Sequence, residues 1–540
     1  LLLLTIVLFS TPTFAQSTDS IKAKSKESVP KNWHQLDFGT SGFQGISLDN
    51  AYEFLHRQGL TSKKVLVAVI DSGIDTLHED LKPVLWVNKR EILGNNKDDD
   101  KNGYVDDIHG WNFIGGKDGK NVKEDSYESA RVYHQLKSRW AKFSGNPDKL
   151  SPSKKAEYIM FKKAEEAITE GSSAAEMESL VKMQEKLMKG DSVIRKEMAK
   201  EEYNIADLEK YTTNNKDAKS VKSMLIGIGK ANNTTDITNT QILEEIEGAI
   251  RKADAANTPP EKFRKQVVGD KESKFKDKKY GNNDLMAETP FHGTHCSGII
   301  GAARNNGVGV DGIADNVEIM MVRAVPDGDE HDKDIAYAIR YAVDNGARVI
   351  SMSFGKDFSP QKQWVDDAFR YADAKGVLLV HAAGNDNKNI DTLDNFPTPN
   401  YIDGKGRTLN IITVGASGDP KNGGLTASFS NYGKKEVDVF APGVNIYSTI
   451  PGGNTYGKAS GTSMACPVVA GIAALIMEYY PSLTASQVKN IIEKSAIIPT
   501  EKVKLPGTSD KVMLSDISKT GGIVNAFEAV KMANTISGGK

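Results

Sequence analysis

An α/β fold is predicted by three stretches of this 540-residue chain. The run VLVAVI at 65–70 is a short β-branched apolar strand, closed by Asp71 and a glycine turn. The segment TPFHGTHCSGIIGAA, from Thr289 to Ala303, sets His292 just ahead of Gly293, Thr294 and a small-residue helix. The segment YGKASGTSMACPVVAGIAALIMEYYP, from Tyr456 to Pro481, leads through flexible small residues to Ser463 and then into a long apolar run. It reads as a loop feeding a buried helix. In open α/β sheets the carboxyl ends of the strands carry the chemistry, and Asp71 lies at such an end. A serine in the first turn of a helix sits among unpaired NH groups, at the positive end of the helix dipole, where a forming negative charge is favoured. The same GTS also fits an ordinary helix cap before a core helix.

Composition narrows the classes. With 39% hydrophobic and 26% charged residues the chain is of soluble, globular type, and its formal charge of −2 gives no overall attraction to nucleic acid or acidic membranes. Its length suits either several domains or one large α/β unit carrying an insertion. Only Cys296 and Cys466 are present, so there is no disulfide framework, and both are expected as buried free thiols rather than a bridge.

Residues 1–15, LLLLTIVLFSTPTFA, read as an N-terminally truncated signal peptide with cleavage after Ala15. The run is shorter than the ~20 residues of a membrane span, so export with no stable membrane anchor after cleavage is expected. Residues 16–32 are polar and read as a flexible leader. Residues 33–59 are expected to wrap the core and to supply a helix at Leu48 to Arg57, ahead of the Asp71 strand.

The acidic loop KDDDKNGYVDDIHGWNF holds Asp98, Asp100, Asn102 and Gly103 in DxDxNG spacing, with Asp106 next in reach. This is the first half of a calcium loop, but His109 stands where an EF-hand has its bidentate glutamate. Two readings stand: a calcium site, or a solvated acidic loop. From 115 to 288 the character shifts to Glu, Lys, Ala and Met, with apolar residues at helical spacing: Tyr133, Leu136, Trp140 and Phe143, later Ile242, Ile246 and Ile250. Helix starts are expected at Ser151–Pro152 and at Thr258 with Glu261, the latter in capping-box spacing, and breaks near Gly171, Gly190 and NNTTDITNT.

The motifs DSGID around Asp71, HGTHCSG around His292 and GTSMACP around Ser463 closely resemble the signature segments of the subtilisin-like serine proteases, the subtilases. LLVHAAGNDN (378–387) resembles the family's oxyanion segment, and NGARVISMSFG (345–355) its substrate-binding strand. All five occur in family order, and Asp, His, Ser is the order of subtilisin. The resemblance covers roughly 60–115 and 288–535. It implies a three-layer fold with a central, mostly parallel sheet, a catalytic domain at 33–114 and 289–535, a helical insertion at 115–288 and a short tail at 536–540.

The resemblance also implies roles. Ser463 would attack a peptide carbonyl, His292 would act as base and then acid, Asp71 would orient the imidazole, and Asn385 would donate to the oxyanion. Ser353, Phe354 and Gly355 would pair with an extended substrate, opposite a wall made by Ala382, Ala383 and Gly384, whose small size suggests room for a sizeable apolar side chain. Asp80 and Asn306 align with family calcium ligands, against a turn held by hydrogen bonds. No organic cofactor is implied. The partners implied are protein or peptide substrates. The room before Asp71 is too small for the large propeptide of many subtilases, and the insertion is expected near the site as a lid or docking module. A His292–His295 metal pair is not expected because no third ligand is assignable, and His381 reads as a core histidine. An exported serine endopeptidase is therefore expected, with a dedicated processing protease or an inactive peptide-binding scaffold as the alternatives.

Overall fold

The computed structural model of the protein describes residues 29–170, 174–200, 203–231, 237–287 and 290–539. The expected signal segment, most of the leader, and the break at Gly171 lie outside these. The chain enters through α1 (Phe38–Ser41) and α2 (Leu48–Arg57), the latter with the predicted bounds. Leu48, Ala51, Tyr52 and Leu55, one helical stripe, are its buried residues. Strands β1 (Val65–Asp71) and β2 (Gly110–Asn112) follow. A helical stretch comes next: α3 (Glu128–Trp140), α4 (Pro152–Glu170), α5 (Ala174–Met198), α6 (Ile205–Lys210), α7 (Lys216–Ala231), α8 (Asn239–Asp254) and α9 (Phe263–Val267). Then α10 (Phe291–Gly301) leads into β3 (Val317–Arg323), α11 (Asp332–Asp344), β4 (Val349–Met352), α12 (Lys362–Ala374), β5 (Leu378–Ala382), β6 (Ile411–Ser417) and β7 (Val439–Pro442). The hairpin β8 (Ile446–Ile450) and β9 (Thr455–Ala459) precedes α13 (Thr462–Tyr479), α14 (Ala485–Lys494) and α15 (Ala526–Ile536).

Seven strands form one sheet in the order β2-β3-β1-β4-β5-β6-β7, every neighbouring pair parallel. Such a sheet is covered on both faces, which is why its strands read as unbroken apolar runs. One face packs with α10, α13, α14 and α15 into a core that includes Val67, Val69, Ile299 and Val468. The other packs with α11 and α12 around Ile70, Met320, Ile339 and Phe369. Helix α13 is buried along its whole length, so its uniform apolarity is that of a core helix. Among the described residues it is the one helix long and apolar enough to cross a membrane. From β1 the chain goes to β3 on one side and returns to β4 on the other, leaving a crevice at the carboxyl ends where the order reverses.

The helical stretch has a core of its own, from Leu187, Ile194, Tyr203, Leu208, Val221, Leu225, Ile242 and Ile246. Two expectations for it fail. Gly190 does not break a helix: α5 runs through it, and a Cβ there would lie 2.4 Å from Val221 Cγ2, so the glycine lets α5 approach α7. No helix starts at Thr258, because Pro259 and Pro260 follow it and a residue before proline is pushed out of helical geometry; α9 begins only at Phe263, with no side-chain cap. A capping box does form within the NNTTDITNT run, where Thr238 Oγ1 accepts from Gln241 N at 3.2 Å and Gln241 Oε1 from Thr238 N at 3.0 Å.

Candidate active site

β1 delivers Asp71 to the crevice, 2% exposed. Its Oδ1 accepts from the Ser72 backbone N at 2.7 Å and from His292 Nδ1 at 2.8 Å. His292 is the second residue of α10, and it reaches the strand end because Gly293 follows it. A Cβ on Gly293 would fall 2.1 Å from the Gly73 carbonyl oxygen, so any side chain would push the helix off the strand. With Nδ1 engaged by the carboxylate, the imidazole is left with Nε2 as the nitrogen that can take up a proton.

Ser463 is likewise the second residue of its helix, α13. Its Oγ donates to the Ser353 carbonyl oxygen at 3.2 Å rather than to His292. In unliganded sites the serine–histidine contact commonly tightens only when substrate binds. Pro467, four residues on, has no N–H to give to the Ser463 carbonyl. That carbonyl is taken instead by Ser353 Oγ at 2.9 Å and Cys296 Sγ at 3.4 Å, which ties the start of α13 to β4 and α10.

Asn385 follows β5. Its Oδ1 accepts from Thr462 N at 2.8 Å and from Thr462 Oγ1 at 2.9 Å, while Thr462 Oγ1 accepts from Gly384 N at 3.1 Å. A backbone N–H can only donate, so the oxygen end of the amide is fixed, and Nδ2 is the end left to donate beside Ser463. Gly384 has φ +98°, and a Cβ there would meet Asn431 Nδ2 at 2.4 Å, so glycine is required at that turn.

The family model described as the subtilase family matches residues 62–522. The chain belongs to the subtilase family. Subtilases are serine endopeptidases. A thermophilic serine proteinase from Bacillus sp. (strain AK1) is 42% identical over 257 residues, 47% of this chain and 55% of that protein, so the match spans about half the length of that relative. Thermitase from Thermoactinomyces vulgaris is 38% identical over 241 residues, 44% of this chain and 75% of thermitase. Among solved structures, proteases from Pseudoalteromonas arctica align over 94% of this chain and 100% of theirs, with 20% identity and a TM-score of 0.46.

Within this subtilase both thiols are free and buried. Cys466 Sγ donates to the Val380 carbonyl at 3.3 Å, and burial pushes its pKa up to about 11, with Cys296 raised as well. His295 faces away from His292, with Nε2 on the Ile446 and Gly457 carbonyls at 3.0 and 3.3 Å; burial lowers it to about 3. The two histidines therefore share no metal position. His381 is buried on the Phe354 carbonyl at 2.9 Å and lowered by burial to about 4, as a core histidine should be.

Ser353, Phe354 and Gly355 leave the end of β4, and Ala382 to Gly384 leave β5 beside them. Between the two lies a residue that sequence reasoning missed. Asn395 Nδ2 donates to the Ala383 carbonyl at 2.9 Å, and its Oδ1 would stand 2.7 Å from a Cβ on Gly355 and 3.3 Å from one on Gly384. A carboxamide thus occupies part of the space expected to be open to an apolar side chain. Thr462 was missed too; its signal was only its place between Gly461 and Ser463.

The acidic loop folds as a cluster. Carboxylate oxygens of Glu91, Asp100 and Asp107 lie within 4.8 Å of one another. Asp98 Oδ1 and Asp106 Oδ1 are buried without a hydrogen-bond partner, the condition of oxygens suited to a cation. Asn102 instead spends its amide on Asp100 and Asp107, at 3.2 and 3.0 Å. Glu91 joins the cluster from outside the motif, its Oε1 accepting from Asp100 N at 3.0 Å and its Oε2 from Asp106 N at 3.2 Å. Asp80 and Asn306 do meet, but Asp80 is already satisfied: Oδ1 accepts from Asn306 Nδ2 at 2.6 Å and Oδ2 from Val310 N at 3.1 Å.

Proposed function

We propose that this chain is an exported serine endopeptidase that hydrolyses peptide bonds through Ser463, His292 and Asp71. The observation that carries the reading is the 2.8 Å Asp71–His292 contact at the sheet's carboxyl edge, next to Ser463 and an Asn385 locked by Thr462. Ser463 Oγ attacks the carbonyl carbon as His292 Nε2 takes its proton; the C=O electron pair moves onto oxygen. Asn385 Nδ2 and the Ser463 backbone N–H donate to that oxygen. Collapse expels the amine, protonated by His292, and leaves an acyl-serine. Water, deprotonated by the same nitrogen, then releases the acid. Asp71 keeps Nδ1 protonated and stabilises the imidazolium throughout.

An extended substrate pairs with Ser353–Gly355 and places its side chain against Ala382–Gly384 and Asn395. Residues 33–114 and 289–535 act as the catalytic domain and 115–288 as an insertion. Calcium is assigned to Asp98, Asp100, Asp106, Glu91 and Asp107, where it would neutralise the cluster and brace the loop leading to β2; the Asp80–Asn306 pair fits a hydrogen-bonded turn better. Export rests on the apolar segment 1–15.

The test is mass-spectrometric mapping of a fluorophosphonate probe on the full chain with calcium, beside His292→Ala. Modification confined to Ser463 and lost in the variant is expected. An unmodified folded protein would point to the peptide-binding scaffold instead.

A further inference from the structure

Lys356 directly follows the Ser353–Gly355 segment, yet its side chain is only 2% exposed. The ammonium donates to Glu128 Oε2 at 2.8 Å and to the Glu330 carbonyl at 2.7 Å, and it pairs with the Asp332 carboxylate, Oδ1 lying 2.9 Å away. Three oxygens from two other segments thus surround it. Glu128 is the first residue of α3, in the helical stretch. Arg131 grips it with two N–H groups, Nη2 to Oε2 at 2.8 Å and Nε to Oε1 at 3.2 Å, and donates as well to the Asp329 carbonyl at 3.0 Å.

The Lys356 backbone bonds to Phe396, next to Asn395, whose Nδ2 reaches the Ala383 carbonyl of the second wall at 2.9 Å. The Lys356 N–H donates to the Phe396 carbonyl at 3.0 Å, and the Lys356 carbonyl accepts from Phe396 N at 2.8 Å. A second helix reaches the same place. Lys163 of α4 donates to the Asp357 carbonyl and to Asp394 Oδ2, both at 3.1 Å, and Val132 and Ala164 pack with Phe358. Buried ion pairs add little stability over apolar residues of the same size, because both charges lose their water. What they add is direction, and this one is aimed at the junction of the two walls.

We propose that Glu128 is a positioning residue for peptide binding: through Lys356, helices α3 and α4 hold the Ser353–Gly355 segment at its working distance from the Ala382–Gly384 segment. The helical stretch is then a brace built into the substrate cleft, and it sets how firmly an extended chain is gripped. This rests on the reading of those two segments as the cleft walls.

The experiment compares kcat/KM for a hexapeptide amide with that for a single-residue acyl ester, in the full chain and in Glu128→Gln and Lys163→Ala. The ester uses the nucleophile but little of the strand. In Glu128→Gln the peptide-to-ester ratio should fall about tenfold, mainly through the KM for the peptide, the worth of one charged hydrogen bond. Lys163→Ala, at an exposed contact, should lower it about two- to fivefold. A ratio unchanged in Lys163→Ala, or peptide and ester activity falling together in Glu128→Gln, would overturn the brace, since a merely structural role moves both. Absence of Ser463 labelling in the parent protein would overturn the peptidase reading first, and the brace with it.

Discussion

Asn385 is held by a single neighbour, and that makes it the sharpest point at which to test the chemistry. Replacing it with alanine removes the proposed oxyanion donor while leaving Thr462 free to bond elsewhere. The expected loss is about 10²–10³ in kcat with little change in KM, the magnitude attached to this kind of asparagine in subtilisin, a member of the same family. Asn395 makes a different test. Asn395→Gly would open the space between Gly355 and Gly384, and kcat/KM for substrates with a large aromatic side chain before the scissile bond should rise about tenfold against those with a small one, as read from a peptide series. Asn385 could be singled out in sequence because its neighbours form a motif. Asn395 could not, because its role comes from where the loop folds back; nothing in DNFP marks it.

Helices and loops carry the next two expectations. The oxygens of Asp98 and Asp106 that lack partners should favour a bound cation, so chelation should lower the melting temperature by several degrees and added calcium restore it, with the effect lost in Glu91→Ala. Magnesium is the control, since its smaller octahedral shell suits this crowded carboxylate set poorly. In α5, Gly190→Ala should cost about 1–3 kcal/mol in urea denaturation, despite alanine's better helix propensity, because the added methyl meets Val221 and the Asp217 carbonyl, which lies 2.7 Å from that position. The part of the acidic cluster that is local in sequence could be read from spacing. Glu91 could not, since it arrives from seven residues ahead of Asp98. Periodicity likewise found the apolar stripe of α8, whereas Gly190 looked like a break because close helix packing leaves no trace in one helix's own sequence.

Among the described residues, three histidines are buried neutral: His34 and His381 are lowered by burial to about 4, and His295 to about 3. Above the unfolded value near 6.5 they cost nothing. As pH falls below it, the unfolded chain takes up protons that the folded chain refuses, and each histidine removes about 1.4 kcal/mol per pH unit down to its folded pKa. Burial raises Asp329 to about 6 and Glu330 to about 7, and these act in the opposite sense over the same window. The histidine effect is therefore read as a difference: His34→Gln should gain on the parent by about that slope between pH 6.5 and 4 in denaturant melts. The sheet itself was legible from its apolar strands. Its order was not, because parallel strands meet through distant crossovers whose pairing no local pattern encodes.

Asp71 and His292 stand 221 positions apart along the chain, and Ser463 comes later still. At translation rates of about 5–20 residues per second, about 20 to 80 seconds pass between the synthesis of Asp71 and that of Ser463, the proposed nucleophile. During that interval the helical stretch and the first strands emerge as inert polypeptide. A protease with its residues in this order cannot digest the stretch between Asp71 and Ser463 as that stretch emerges, since the proposed nucleophile is made after all of it.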